Sequence, residues 1–213
     1  MVPAVSRRLD LSIAVLIWSV GFLWVSVSGS WALLAGLAVA AALRLLVGDP
    51  LTRRLLTPTL WAIGVGVVGA AIMIIGTYAS YFLLSRLIPP LVDATADLYR
   101  LLRADAYGQL RLAALITLVS ASEEIVWRGR LLESPGDVEP AAWPTRAQAL
   151  RVVGAATVYA LAHIASRSIT LAIVAFICGI AWGLLRVAMR SLWASILTHA
   201  LWDLAILVFW PLA

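Results

Sequence analysis

The chain has 213 residues, of which 63% are hydrophobic and only 13% charged, and its mean hydropathy is +0.99. About a quarter of a soluble domain is charged, so the composition excludes an ordinary water-soluble enzyme and points to a polytopic membrane protein, read as one domain over 1–213. The formal net charge of +5 rests on arginine alone, which suits anionic headgroups of a lipid bilayer; nothing resembles a basic nucleic-acid stripe, and no nucleic-acid partner is expected.

Seven apolar segments come close to the ~20 residues that cross a ~30 Å hydrocarbon core. They are 11–28, 31–47, 59–85, 110–127, 149–166, 169–187 and 192–212. The first follows Arg7 and Arg8 as a secretory signal would, but its length of roughly 18 residues favours a retained helix. The sequence "SGS" at Ser28–Ser30 is the only break before the second segment, so these two form a helical hairpin. Beyond the third, Pro89 and Pro90 end the helix. The stretch that follows is amphipathic and has two readings. It is an interfacial helix with Leu91, Leu98, Leu101 and Leu102 toward lipid and Asp93, Asp97, Arg100 and Arg103 toward water, or it is a solvated loop. The three prolines between Glu133 and Thr145 mark a loop. The expected fold class is therefore all-α: a polytopic membrane helix bundle of about seven transmembrane helices plus the interfacial candidate. The motif-bearing helices fall in 110–212.

Orientation follows from arginine placement. With the N terminus cytoplasmic, eleven arginines fall on that side and five on the other. This predicts a multi-pass protein with its N terminus inside and its C terminus outside. Arginine-only usage hints at a GC-rich bacterial genome, hence an inner (plasma) membrane. Glu123 and Glu124 then lie just before Arg128, close to the cytoplasmic face.

Ionisable groups at membrane depth are costly and usually face a partner or a wet cavity. Both histidines of the chain lie in predicted spans, and the polar residues recur at one spacing. Glu124 and Arg128, Tyr159 and His163, and His199 and Asp203 are each four apart, so each pair shares a helix face. Alone, the first pair reads as a helix-end salt bridge, the second as a satisfied core histidine and the third as mutual neutralisation. Together they predict a single polar pocket. Cys178 stands alone in an apolar run, no Gly-x-Ser-x-Gly elbow occurs, and Ser120 and Ser122 read as packing hydroxyls. A carboxylate beside an imidazole can hold and deprotonate a water, and a second imidazole can donate to an oxyanion. No cofactor is expected. Zn²⁺ or Fe held by the two histidines with carboxylates is a secondary reading, since the His-Glu-x-x-His spacing is absent.

The three motifs resemble the CAAX prenyl protease and bacteriocin-processing (CPBP) family of intramembrane glutamic endopeptidases, over roughly Leu118 to Asp203. "EEIVWRG" is similar to Glu-Glu-x-x-x-Arg with Trp127 where Phe is usual, "YALAH" to Phe-x-x-x-His with Tyr159 for Phe, and "HALWD" to His-x-x-x-Asn with Asp203 for Asn. Gly179, Gly183 and the "RSLW" turn also follow the family pattern. The resemblance implies Glu123 as general base on a water held with His163, Glu124 with Arg128 as its supporting pair, and His199 with Asp203 at the oxyanion. Tyr159 and Trp127 would support them. An ionised Asp cannot donate as Asn does. Asp203 is then either protonated or an orienter of His199, and the orienter reading is preferred. The implied substrate is a membrane-anchored polypeptide: a prenylated C terminus, a precursor or a sorting tail. Other readings are a non-proteolytic scaffold or immunity protein, a metal-dependent membrane protease, and a proton-coupled transporter, against which no internal repeat is visible.

Overall fold

The computed structural model describes residues 4–102, 108–132 and 144–212, and every regular element among them is helical. Helix α1 (Ala4–Ser28) and α2 (Ala32–Gly48) form the expected hairpin, and a short α3 (Pro50–Leu55) follows, capped by Asp49. Helices α4 (Leu60–Leu87) and α5 (Pro90–Leu102) come next. Helix α6 (Gln109–Glu123) passes without a break into a π-helical segment, Glu124–Leu131. Helix α7 (Arg146–His163) ends in a 3₁₀ turn, α8 spans Ile169–Met189, and α9 (Leu192–Asp203) also runs on as a π-helix, Leu204–Phe209.

The protein is an all-α polytopic membrane bundle. Five described segments are long and apolar enough to cross a bilayer: Leu9–Ser28, Leu60–Leu87, Arg146–Ser166, Ile169–Met189 and Leu192–Phe209. The other two expected segments are the 17-residue α2 and the composite helix Gln109–Leu131. Leucine, valine and isoleucine side chains such as Leu16, Val47, Ile72 and Ile75 face outward, as a lipid-facing surface requires. The proline-rich segment after Glu133 lies outside the described residues up to 143. Thr145 then opens α7 with a capping box: its hydroxyl accepts from Gln148 N–H, and Gln148 Oε1 accepts from Thr145 N–H.

In a membrane, helices gain little by hiding apolar surface from one another, so close backbone approach and hydrogen bonds hold the bundle. Gly179 and Gly183 put a bare stripe of α8 against α7. A Cβ at Gly183 would come 2.7 Å from Val152 Cγ1, and one at Gly179 would come 3.2 Å from Ala156 Cβ. Helix α9 is tied to α4 by Thr198, whose hydroxyl lies 2.9 Å from the Gly66 carbonyl oxygen.

The two ends of the bundle differ. At one end, Asp10 of α1 accepts from Arg44 of α2 at 2.8 and 2.9 Å and from Arg130 Nε at 2.9 Å. The other end carries α5 and the α7–α8 turn, where Arg167 takes a left-handed backbone (φ 62°). There α5 is a helix, but its apolar face is not turned to lipid as one reading predicted. Leu98, Tyr99 and Thr95 are buried, and Asp97 and Arg100 are exposed. Tyr99 donates to the Ile206 carbonyl at 2.8 Å and accepts from Leu212 N–H at 3.1 Å. The bundle offers α5 a protein surface that buries Leu98 and satisfies this hydroxyl, which lipid cannot do.

Candidate active site

Glu123 closes α6 and Glu124 opens the π-helical segment, so the adjacent carboxylates sit where the helix widens. Glu123 faces a cavity of about 590 Å³. Each of its oxygens accepts one hydrogen bond from the wall behind it. The Trp18 indole N–H of α1 donates to Oε1 at 2.5 Å, and the Tyr159 hydroxyl of α7 donates to Oε2. Each oxygen also faces an imidazole: Oε1 lies 3.8 Å from His163 Nε2, and Oε2 lies 3.7 Å from His199 Nε2.

The two rings are held differently. His163 Nδ1 lies 2.7 Å from the Tyr159 carbonyl, one helical turn back. A carbonyl only accepts, so Nδ1 carries a proton, and Nε2 is the nitrogen turned to Glu123, an acceptor when the ring is neutral. The ring is clamped between Phe22 and Tyr159, at centroid distances of 4.4 and 4.3 Å. His199 instead meets a carboxylate on each nitrogen, Glu124 Oε1 2.9 Å from Nδ1 and Asp203 Oδ2 3.3 Å from Nε2. It stacks flat on Trp182, 3.5 Å between centroids. The residue that fixes Nδ1 is thus Glu124. Asp203, one turn along α9, reaches only the nitrogen that faces Glu123.

The remaining groups support these. Arg128 Nη1 lies 3.1 Å from Glu124 Oε1, and its guanidinium sits over the Tyr159 ring at 4.4 Å. Gly179 makes room for that guanidinium, since a Cβ there would come 3.3 Å from Arg128 Nη2. Trp127 fills the space between Trp18 and Tyr159, edge-on to both. Ser120 Oγ lies 2.5 Å from Asp203 Oδ2 and 2.8 Å from the Ile116 carbonyl.

All six residues singled out in the sequence, with Tyr159 and Trp127, therefore meet in one buried cluster. Sequence reasoning missed Trp18 and Trp182 and read Ser120 as packing. The one usable signal for Trp18 is depth: tryptophan favours membrane interfaces, and a mid-span indole needs an acceptor for its N–H. Among the described residues, no three His, Cys, Asp or Glu side chains are arranged to hold a metal ion.

The cavity runs from Glu123 toward the end that carries α5. Its walls are the C-terminal half of α4 (Met73, Thr77, Tyr81, Leu84), α5 (Thr95, Leu98), and the N-terminal part of α8 (Leu171, Val174, Cys178). The walls are mostly apolar, and the carboxylates and imidazoles gather at its inner end.

The fold and site together define a helical membrane protein in which carboxylates and imidazoles converge on an apolar chamber. Residues 107–205, just under half of the chain, match the family model for Rce1-like proteins, type II CAAX prenyl endopeptidases. That segment contains all three motifs, and the family resemblance they carry is borne out. Over that segment the chain is similar to CAAX-type proteases; it is an integral membrane protein, and the match supports an intramembrane-protease kind of function. No curated protein and no solved structure gives a significant match.

Proposed function

We propose that the protein is a glutamic-type intramembrane endopeptidase that cuts a membrane-held polypeptide with an activated water. The observation that carries this reading is that Glu123 Oε1 and His163 Nε2 face each other across 3.8 Å at the inner end of an apolar chamber, both of them acceptors when the ring is neutral. Two acceptors so close are best reconciled by a water that donates one proton to each, which leaves an oxygen lone pair for attack.

On attack, that oxygen bonds to the scissile carbonyl carbon and Glu123 takes the proton. The carbonyl oxygen becomes an oxyanion, which His199 stabilises. A ring protonated on both nitrogens donates to Glu124 from Nδ1 and offers Nε2–H to Asp203 or the oxyanion. Glu123 then protonates the leaving amine as the C–N bond breaks, and no covalent intermediate forms. Arg128 neutralises Glu124, so that Glu123 is the carboxylate left to act as base. The whole chain serves as one catalytic domain, because α1, α4 and α5 complete the chamber.

The apolar walls suit a substrate whose residues or attached tail near the cut are hydrophobic. With the N terminus cytoplasmic, as the arginines favour, the end that carries α5 faces away from the cytoplasm. On that orientation the substrate reaches Glu123 from the non-cytoplasmic half of a bacterial inner membrane, not from the cytoplasmic face that the motif position alone suggests. The reading is tested by comparing membrane proteomes of cells carrying wild type and Glu123→Gln. A polypeptide that is shortened only with the wild type is the expected result; identical masses in both would remove Glu123 from the mechanism.

A further inference from the structure

We infer that Trp18, in a helix outside the matched segment, is a positioning residue for the base: its indole holds the Glu123 carboxylate in the orientation that aims its remaining lone pairs into the chamber. The inference rests on the proposed role of Glu123.

Trp18 is fully buried at mid-span of α1, and its Nε1–H lies 2.5 Å from Glu123 Oε1. A carboxylate oxygen has two lone-pair directions. On Oε1 one is taken by Trp18 and the other faces His163. On Oε2 one is taken by Tyr159 and the other faces His199. Two donors from two different helices thus fix the carboxylate plane. Tyr159 alone would leave it free to rotate about the bond to the carboxylate carbon, and the oxygen that faces His163 would lose its fixed direction. A carboxylate is also held more strongly by a donor than a neutral acceptor is. The ring has one further neighbour of note, Trp127, edge-on at 5.7 Å. Phenylalanine can keep that contact while removing the N–H. Helix α1 therefore does more than line the bundle: through Trp18 and Phe22 it sets both the base and the imidazole that faces it.

The test uses the full chain in lipid nanodiscs, labelled with ¹⁵N-tryptophan. The Trp18 indole signal is assigned by its loss in Trp18→Phe. It is expected to move upfield in Glu123→Gln by more than any other indole signal; an unmoved signal overturns the hydrogen bond. Turnover is read on an internally quenched peptide ending in a farnesylated Cys-aliphatic-aliphatic-X sequence. Trp18→Phe is expected to lower kcat about tenfold or more, in line with loss of one hydrogen bond to a charged group, with KM within about twofold. The acid limb of its pH–rate profile is expected to be displaced, which loss of packing alone would not produce. Wild-type kcat and pH profile in Trp18→Phe, with Glu123→Gln inactive, overturn the positioning role and leave the protease reading standing. Wild-type turnover in Glu123→Gln instead overturns the protease reading. If the wild type leaves the peptide intact, the indole shift decides the inference.

Discussion

Both ends of this bundle bury charge, and they do so on opposite terms. Around Asp10, one carboxylate takes two guanidinium groups, Arg44 and Arg130, and no large cavity adjoins them. Around Glu123, three carboxylates (Glu123, Glu124 and Asp203) share one guanidinium, Arg128, and two imidazoles at the end of a chamber of about 590 Å³. Saturated pairing reads as structure, because breaking such a pair leaves a buried charge behind. Surplus acceptors beside a cavity read as a site, because the missing protons must come from a ligand or water.

The comparison breaks most sharply if the two acids are exchanged in role. Glu123→Gln is expected to abolish cleavage, a loss of at least ~10²–10⁴-fold for a general base, with little change in thermal midpoint. Asp10→Asn is expected to do the reverse, costing about 3 kcal/mol of stability through the buried Arg130 side chain, with turnover per folded molecule kept. Turnover and thermal unfolding of both variants in one detergent decide the matter. A stable but inactive Asp10→Asn would place that cluster in the mechanism.

A second test concerns the scaffold shared by both ends. Gly183→Leu forces a side chain into Val152 of α7 and is expected to destabilise the monomer, measured by a lower thermal midpoint and loss of monodisperse protein. A folded monomer that has lost only a dimer would contradict the intramolecular role.

Asp203 sharpens the comparison inside the site, since its charge can be removed without its shape. If Asp203 is ionised and steadies the His199 imidazolium, Asp203→Asn lowers activity modestly and changes the pH–rate profile, and Asp203→Ala lowers it further. A wild-type-like Asn variant beside an inactive Ala variant would favour a protonated Asp203 that donates directly to the oxyanion.

The smallest effect is expected from chelation. Glu123 and His163 suffice to activate the water in the proposed mechanism, so EDTA or phenanthroline should leave turnover of the purified protein unchanged. Inactivation that Zn²⁺ reverses would install a metal in place of that pair.

Much of this was legible in the chain. Hydropathy is a local quantity, and the helix-forming segments, the hairpin at Ser28–Ser30 and the membrane class follow from it. The four-residue spacing of Glu124 with Arg128, Tyr159 with His163 and His199 with Asp203 is also local, so the three polar helix faces and the family resemblance can be read off directly. What meets those faces is not local. A helix such as α4 is apolar on every side, so its sequence does not say which side lines a cavity. Ten tryptophans occur in the chain, and the mid-span depth of Trp18 says that its indole needs an acceptor but not which one. Only the packing of α1 against α7 and the π-helical segment that follows Glu123 set its indole on that carboxylate. Only the approach of α9 to the π-helical segment gave Nδ1 of His199 to Glu124 in preference to Asp203. The bundle likewise turned Leu98 and Tyr99 of α5 inward and directed the chamber away from the arginine-rich end, because a buried polar group is satisfied by whichever partner the helix arrangement brings within reach.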